Sequence, residues 1–516
     1  MNSKYSVDRG FLYTDFYQLT MAQLYFREGI HENTARFEHF FRSYPDYGDH
    51  QAGYCVHAGM SWLRQWMKSS KPTEEDLEHL RSETDSQGNR VFSEEFLTWL
   101  RESFSFERLR IQTIPEGRVI HPHEPLTVVE GPLAIAQLLE TALLNYINYQ
   151  TLIATKASRI KQAGLDNLTI EFGMRRAHGP GANPGARGAL IGGVDFTSNT
   201  GVSYRLGFPP KGTHAHSMVQ AFLGLGGTEK EAFQAYAELY PENCLLLVDT
   251  VDTLESGIPN AIRVFESLRE KGHQPLGIRL DSGDLAHLAV RAADMLNEAG
   301  FDDVSIVLSN QLNELVLTQI IDQIRDEAPE YGLTPEKLLN RLVYGVGTRL
   351  ITSKGDPALG GVYKLVGIQS DQEWEPALKI SESPAKIPNP GRKQLYRIYD
   401  DRNKATADLL AGHGENPQDW ENIELHHPTE RGAVRLLPRA QVSRFESLWE
   451  EIEPTKPPRD EPELLENARE RRRNDLSYLD SGVKRILNPH YYHVSLSRSL
   501  WNRKQTLISE ARETSK

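Results

Sequence analysis

Between Cys244 and Thr348 the apolar and polar positions fall into blocks that predict strand, helix, strand, helix, strand, helix, strand. The apolar runs are CLLLVDT (Cys244–Thr250), PLGIRLDSGD (Pro275–Asp284), SIVLSN (Ser305–Asn310) and LVYGVGT (Leu342–Thr348). Helical spacing fills the gaps: Pro259–Lys271, with Ile262, Phe265 and Leu268 on one face, then Leu285–Ala299, then a helix starting near Leu312. Strands alternating with helices of this length imply right-handed βαβ units and a parallel sheet. The strands are apolar throughout, as strands covered on both faces must be. Each run ends in small polar residues: Asp249-Thr250, Asp281-Ser282-Gly283-Asp284, Ser309-Asn310 and Gly345-Val346-Gly347-Thr348. Ligands of such sheets bind at the carboxyl ends of the strands, so these residues read as the floor of an active site.

The flanking chain is patterned differently. YTDFYQLTMAQLYFRE (residues 13–28) predicts a helix capped by Thr14 or Asp15. Phe37–Phe41 predicts a strand, Pro72–Arg90 a surface helix and loop, and Pro115–Pro132 short strands broken by prolines. Leu133–Tyr149 predicts a helix continuing towards Arg159, and NLTIEFG (Asn167–Gly173) a buried strand. Ala177–Asn199 is so rich in glycine that only a short strand at Ala189–Val194 is expected within it. Gly207–Phe222 runs through a turn into a helix at Thr213-His214-Ala215-His216. Gly360–Gln369 predicts a strand paired with Trp374–Ile380. Lys379–Ile398 carries Lys379, Lys386, Arg392, Lys393 and Arg397, a basic patch in an otherwise acidic chain. Beyond Asp400 apolar content falls and charge runs appear, until the last forty residues recover aromatics and leucines and should dock. The expected domains are 1–132 (α+β), 133–400 (β/α) and 401–516 (a charged extension packing back on the body).

Composition narrows the function. At 516 residues, 39% hydrophobic and 25% charged, the chain is an ordinary globular protein of two or three domains. A net charge of −13 argues against nucleic acid or an anionic membrane as partner, yet leaves room for small anionic substrates. Two cysteines, Cys55 and Cys244, in no metal or redox spacing suit a reducing cytoplasm. The first residues lack an apolar signal core, and no run approaches the ~20 residues of a membrane span.

Several residues carry candidate chemistry. Asp281 and Asp284 suit ribose hydroxyls or Mg²⁺, which binds through one or two carboxylates plus substrate phosphates, although helix capping is the plain alternative. Arg279 precedes Asp281 by two positions, so strand alternation puts both on one face, where a guanidinium clamps a planar carboxylate. Glycine-rich turns and helix starts let backbone amides approach an anion; a flexible surface loop is the competing reading of Ala177–Asn199. His216 suits a general base, a metal ligand, a nucleophile or a capping group, and spacing does not choose between it and His214.

Taken in order, YTDFYQLTM, EFGMRRAHGPGA, GGVDFTSN, GTHAHSMVQAF, RLDSGD, GVGT and GGVYKLV closely resemble the nicotinate phosphoribosyltransferase family, over roughly Tyr13 to Arg397. The resemblance implies an irregular, open β/α barrel of the type II phosphoribosyltransferase kind with an N-terminal α+β domain. It implies a homodimer with sites near the subunit interface. It implies nicotinate plus phosphoribosyl pyrophosphate giving nicotinate mononucleotide and pyrophosphate, coupled to ATP hydrolysis, in the Preiss–Handler route of NAD salvage, with Mg²⁺. Carried over by motif, Tyr17 and Phe172 sandwich the pyridine ring, and Thr213 and Arg279 contact nicotinate. Arg175, Asp281, Ser309, Asn310, Gly345, Gly347 and Thr348 surround the phosphoribosyl pyrophosphate. Asp281 and Asp284 are the metal candidates. His216 matches the histidine that ATP phosphorylates, because the family pattern is G-T-x-A-H-S and His214 fills its variable position. Asn313 departs from the family's aspartate and is left out of the site; Phe196 stands where glycine is usual, and Asp195 is a further candidate. The rivals are a nicotinamide phosphoribosyltransferase, a silent nucleotide-binding barrel and a phosphosugar isomerase or lyase. The last lacks an evident lysine or glutamate base at a strand end.

Overall fold

Parallel pairing joins six short strands of the middle segment into one sheet, β1 (Thr169–Glu171), β2 (Phe196–Thr197), β3 (Leu245–Leu247), β4 (Gly277–Leu280), β5 (Ser305–Ser309) and β6 (Leu342–Val346). The computed structural model describes residues 10–371, 373–378, 386–457 and 460–514. The sheet order is β2-β1-β6-β5-β4-β3, every neighbouring pair is parallel, and the sheet curls as an open half-barrel with β2 and β3 at its edges. All carboxyl ends therefore lie along one rim, which is how residues far apart in sequence meet.

The helices that cover this sheet start where their caps dictate. Asp284 accepts from the backbone N–H groups of Ala286 and His287, opening Leu285–Glu298. Asn313 accepts from Val316 and opens Glu314–Glu327. These are cap hydrogen bonds of the kind that cost about 1 kcal/mol to remove. Ile258–Glu270 buries Ala261, Val264, Phe265 and Leu268 on one stripe.

Ala189–Val194, expected as a strand, instead holds the end of a helix, Ala182–Ile191, and the turn that follows it, inside the glycine-rich segment. Eight of its ten residues are buried, Arg187 and both internal glycines among them. Tertiary packing repays the ~1 kcal/mol that each glycine costs a helix.

By compactness the chain divides into Met1–Thr155 with Ala358–Lys516, and Lys156–Pro357. Composition drew the boundaries at 132/133 and 400/401. Pairing explains the difference: Gly361–Ser370 lies beside Thr34–Phe41, which also pairs with Thr127–Pro132, so chain from both ends builds one antiparallel sheet. Its core includes Phe37 stacked on Tyr363 at 4.8 Å, with Trp66, Leu77, Phe96 and Leu100 from three helices. The C-terminal residues form a second sheet, ordered Val434–Pro438, Asn422–His426, His493–Leu496, Ala405–Gly412, Lys393–Asp400, Val442–Ser447. Among the described residues no helix is long and apolar enough to cross a membrane.

Candidate active site at the strand ends

Arg279, in β4, organises the rim. Its Nε donates to Ser309 Oγ (2.9 Å), Nη1 to Thr213 Oγ1 (3.0 Å) and Nη2 to Asp281 Oδ1 (3.0 Å). Three elements thus fix one guanidinium whose side chain is only 13% exposed. Ser309 Oγ also lies 2.5 Å from Asp281 Oδ1, so the hydroxyl accepts from arginine and donates to carboxylate. The guanidinium carbon stands 5.3 Å from the centre of the Phe172 ring, within cation–π range. A guanidinium has five N–H donors, so after these bonds N–H groups remain on the terminal nitrogens, next to an aromatic face.

Phe172 follows β1, and its backbone N–H donates to Val346 O (2.8 Å). Gly345 leaves room for its ring: a Cβ there would lie 2.5 Å from Phe172 Cε2 and 3.3 Å from Ser309 Cβ. Gly347 precedes Thr348, the first residue of a one-turn helix, Thr348–Ile351. Asn310 has φ +89° and Gln311 φ +55°, left-handed backbone that asparagine tolerates readily and glutamine seldom adopts. Arg175 lies in the turn Met174–Arg176 after β1 and is exposed. Behind that turn the buried Glu171 carboxylate accepts from Thr197 Oγ1 (2.6 Å) and from the Gly173 backbone N–H, tying the ends of β1 and β2 together. Burial raises the Glu171 pKa, and those hydrogen bonds only partly offset it.

The two histidines separate by environment. His214 is buried, its Nε2 accepts from the Leu247 backbone N–H (3.0 Å), and its ring packs on Phe233 and Tyr236. Burial pushes its pKa down to about 4, so it is neutral and serves to hold the β3 edge. His216, the first residue of helix His216–Gly224, has a 37% exposed side chain and places Nε2 3.1 Å from Asp249 Oδ1. Asp249, 1% exposed, also accepts through Oδ2 from the Asp281 backbone N–H (3.1 Å) and from Ser282 Oγ (2.5 Å). One carboxylate therefore joins the helix start to the β4 terminus. Sequence reasoning noted Asp249 as a strand end and gave it no role; its only signal was an acid closing an apolar run.

Other candidates lie elsewhere. Asp284 spends Oδ1 on its helix cap and Oδ2 on Gln323 Nε2 (2.9 Å). Burial alone would raise its pKa, but those hydrogen bonds outweigh it and hold the carboxyl below the usual range. Asp195 pairs with Lys161 (2.6 Å) and accepts from the backbone N–H of Thr169, at the amino end of β1, opposite the rim. Tyr17 belongs to the other unit, 49% exposed in the first turn of Phe16–Arg27. In the basic patch Lys379 lies outside the described residues, and Lys386 is exposed. Lys393 is buried against Glu38 (2.6 Å), Arg397 is buried against Asp408 (2.7 Å), and Arg392 approaches Glu130 (3.7 Å). Those three charges are matched internally within the first unit.

Comparison with known proteins agrees with this architecture. Residues 12–148 match the family model of the nicotinate phosphoribosyltransferase (NAPRTase) N-terminal domain, and residues 392–504 that of the C-terminal domain. The nicotinate phosphoribosyltransferase of Bacillus subtilis (strain 168) is 40% identical, over 97% of this chain and 96% of its own. That of Caenorhabditis elegans is 32% identical, over 96% and 93%. A crystal structure of human nicotinic acid phosphoribosyltransferase superposes with a TM-score of 0.77 at 27% identity, covering 96% of this chain and 99% of the other. On identity, coverage and fold together, this chain belongs to the nicotinate phosphoribosyltransferase family of NAD-biosynthetic enzymes.

Proposed function

We propose that this chain transfers the phosphoribosyl group of phosphoribosyl pyrophosphate to the nitrogen of nicotinate, releasing pyrophosphate, with ATP hydrolysis coupled to the transfer. The observation that carries the reading is the Arg279 fork, fixed by Thr213, Ser309 and Asp281 beside the Phe172 ring. A flat heterocycle stacks on the phenyl face while its carboxylate takes the remaining guanidinium N–H groups. Nicotinamide, being neutral, forgoes that charge-assisted pair. In the transfer, the ring nitrogen bonds to the anomeric carbon as the bond from that carbon to pyrophosphate breaks. Positioning of the reactants and electrostatic stabilisation of the leaving group supply most of the acceleration.

For the ATP step, His216 is the phosphoryl acceptor. Asp249 takes the Nε2–H, which leaves the lone pair on Nδ1 as nucleophile. The γ-phosphoryl of ATP moves to that nitrogen as its bond to the departing ADP breaks, and water later takes it as inorganic phosphate. Asp281 fits Mg²⁺: its Oδ1 is committed to Arg279 and Ser309, while Oδ2 is available to join substrate phosphate oxygens. Asp284, with both oxygens engaged, does not fit that role. Bound Mg²⁺ would neutralise charge on the pyrophosphate.

A homodimer is proposed as well. Helix His216–Gly224 reads HSMVQAFLG yet buries only Val219, and Tyr204, Leu225 and Leu239 are 91%, 90% and 68% exposed. A second copy covering this surface would remove apolar area from water beside His216. The cytoplasm suits a chain whose two cysteines, Cys55 and Cys244, are both buried, and the product would enter NAD salvage by the Preiss–Handler route. The test is nicotinate mononucleotide formation by pure protein with phosphoribosyl pyrophosphate and Mg²⁺, with and without ATP, for wild type and His216→Ala. Product from nicotinate but not nicotinamide, and ADP released by wild type alone, is expected. Equal use of the amide, or ATP turnover by the alanine variant, refutes the respective half.

A further inference from the structure

Outside the barrel, the turn His121-Pro122-His123-Glu124 folds back so that Glu124 Oε2 accepts from the His121 backbone N–H (2.9 Å). This brings the two side chains together beneath Asp408 of the C-terminal sheet, in the same unit. One ligand-capable atom from each of His121, Glu124 and Asp408 lies within 4.8 Å of the others, and all three residues are 0% exposed. Among the described residues His121 Nε2 is buried with no hydrogen-bond partner, and the side chain beside the Glu124 carboxyl is a second acid, Asp408. A buried polar atom without a partner costs about 1–3 kcal/mol, and two buried acids side by side need a cation or a shared proton between them, so the cluster calls for an occupant.

The surroundings have the form of a metal centre's outer layer. Tyr44 Oη stands 2.6 Å from His121 Nδ1, so the ring is held through one nitrogen and the other is left for a ligand. Tyr492 stacks on the imidazole at 3.7 Å and donates to Asp408 Oδ1 (2.9 Å). Arg397 grips Asp408 with two bonds, 2.9 and 2.7 Å. Partners of this kind orient ligands and fix the tautomer. Arg397 and Arg118 already match Asp408 and Asp475, which leaves Glu124 without a cation of its own among the described residues.

We propose that His121, Glu124 and Asp408 form a structural binding site for a divalent transition-metal ion that ties the N-terminal turn to the C-terminal sheet. One imidazole nitrogen and two carboxylate oxygens suit a borderline ion such as Zn²⁺ better than Mg²⁺ or Ca²⁺, which prefer all-oxygen shells. Ligands about 2.1 Å from tetrahedral Zn²⁺ are roughly 3.4 Å apart, so binding draws these atoms inward by up to about an ångström. The rival occupant is a proton shared between Glu124 and Asp408, since burial and the neighbouring carboxylate raise the Glu124 pKa.

Elemental analysis separates the two. Full-length protein produced in zinc-supplemented medium and dialysed exhaustively against EDTA should retain about one Zn²⁺ per chain. Glu124→Gln should fall at least tenfold, with its fold checked by circular dichroism. His121→Phe, which keeps the stack on Tyr492, should lose the metal likewise if the glutamine variant does not fold. X-ray absorption at the zinc edge should show nitrogen and oxygen neighbours only. Wild type without stoichiometric metal, both as purified and after refolding in Zn²⁺, overturns the site in favour of the shared proton. Metal retained by either folded variant overturns it too.

Discussion

Gly345 permits a close test of how the rim is packed. Replacing it with alanine puts a methyl carbon 2.5 and 2.6 Å from Phe172 Cε2 and Cδ2, while ordinary carbon contacts are ~3.5 Å or more. Ser309 Cβ, at 3.3 Å from the new methyl, leaves little room on that side. The ring must therefore retreat by about 1 Å, and it shares its surroundings with the Arg279 guanidinium 5.3 Å away. Overpacking of this size costs about 1–3 kcal/mol of stability, or roughly 2–10 °C in Tm for a domain of this length. A misplacement of about 1 Å at a positioning group costs on the order of 100-fold in rate. We expect Gly345→Ala to lower kcat/KM for nicotinate by about 10- to 100-fold, with most of the change in KM if the ring acts by stacking. The decisive measurement is a double-mutant cycle with Phe172→Ala, scored by nicotinate mononucleotide formation and by Tm. With the ring gone the methyl has space, so the double variant should be no worse than Phe172→Ala alone. Losses that multiply, or an unchanged KM in the single variant, would refute this account of why glycine stands there.

Arg279→Lys keeps the charge but loses the planar fork that meets Thr213, Ser309 and Asp281 together, so KM for nicotinate should rise at least tenfold; an unchanged KM excludes a bidentate clamp. Asp249→Asn should cut ATP hydrolysis on the order of 100-fold by releasing the His216 tautomer, and ADP formation at the wild-type rate would count against the pair. Acid should destabilise the protein through its buried neutral histidines. His214 and His39 have pKa values pushed down to about 4 and about 3 by burial, from 6.5, so below pH 6.5 the unfolded chain binds protons that the folded one refuses. Stability is full above pH 6.5 and declines as pH falls towards 4, by about 2 kcal/mol per histidine at pH 5. A Tm that is flat between pH 7 and pH 5 would contradict this.

What was legible in the chain was the parallel sheet and its rim. The apolar runs at Leu245–Leu247, Gly277–Leu280, Ser305–Ser309 and Leu342–Val346 became strands because period, length and punctuation agreed locally. Arg279 and Asp281 were readable as same-face neighbours because strand alternation is a local rule. Asp284 was ambiguous because a carboxylate before a helix caps it whether or not a ligand is near, and it does cap. The glycine-rich segment misled because propensity counts what glycine costs a helix and is blind to packing around Ala182–Ile191.

The remainder was decided in three dimensions. Nothing local distinguishes His214 from His216; the difference is that one ring sits under the Leu247 edge and the other reaches Asp249 across the rim. Lys393 and Arg397 look like a solvated basic loop until strand pairing buries them against Glu38 and Asp408. Which ends of the chain share a sheet, through Thr34–Phe41 and Gly361–Ser370, is likewise a fact of long-range pairing. Periodicity and caps are encoded within a few residues of the position they affect. Partners of buried charges are supplied by whichever distant segment packs there, and only folding chooses that segment.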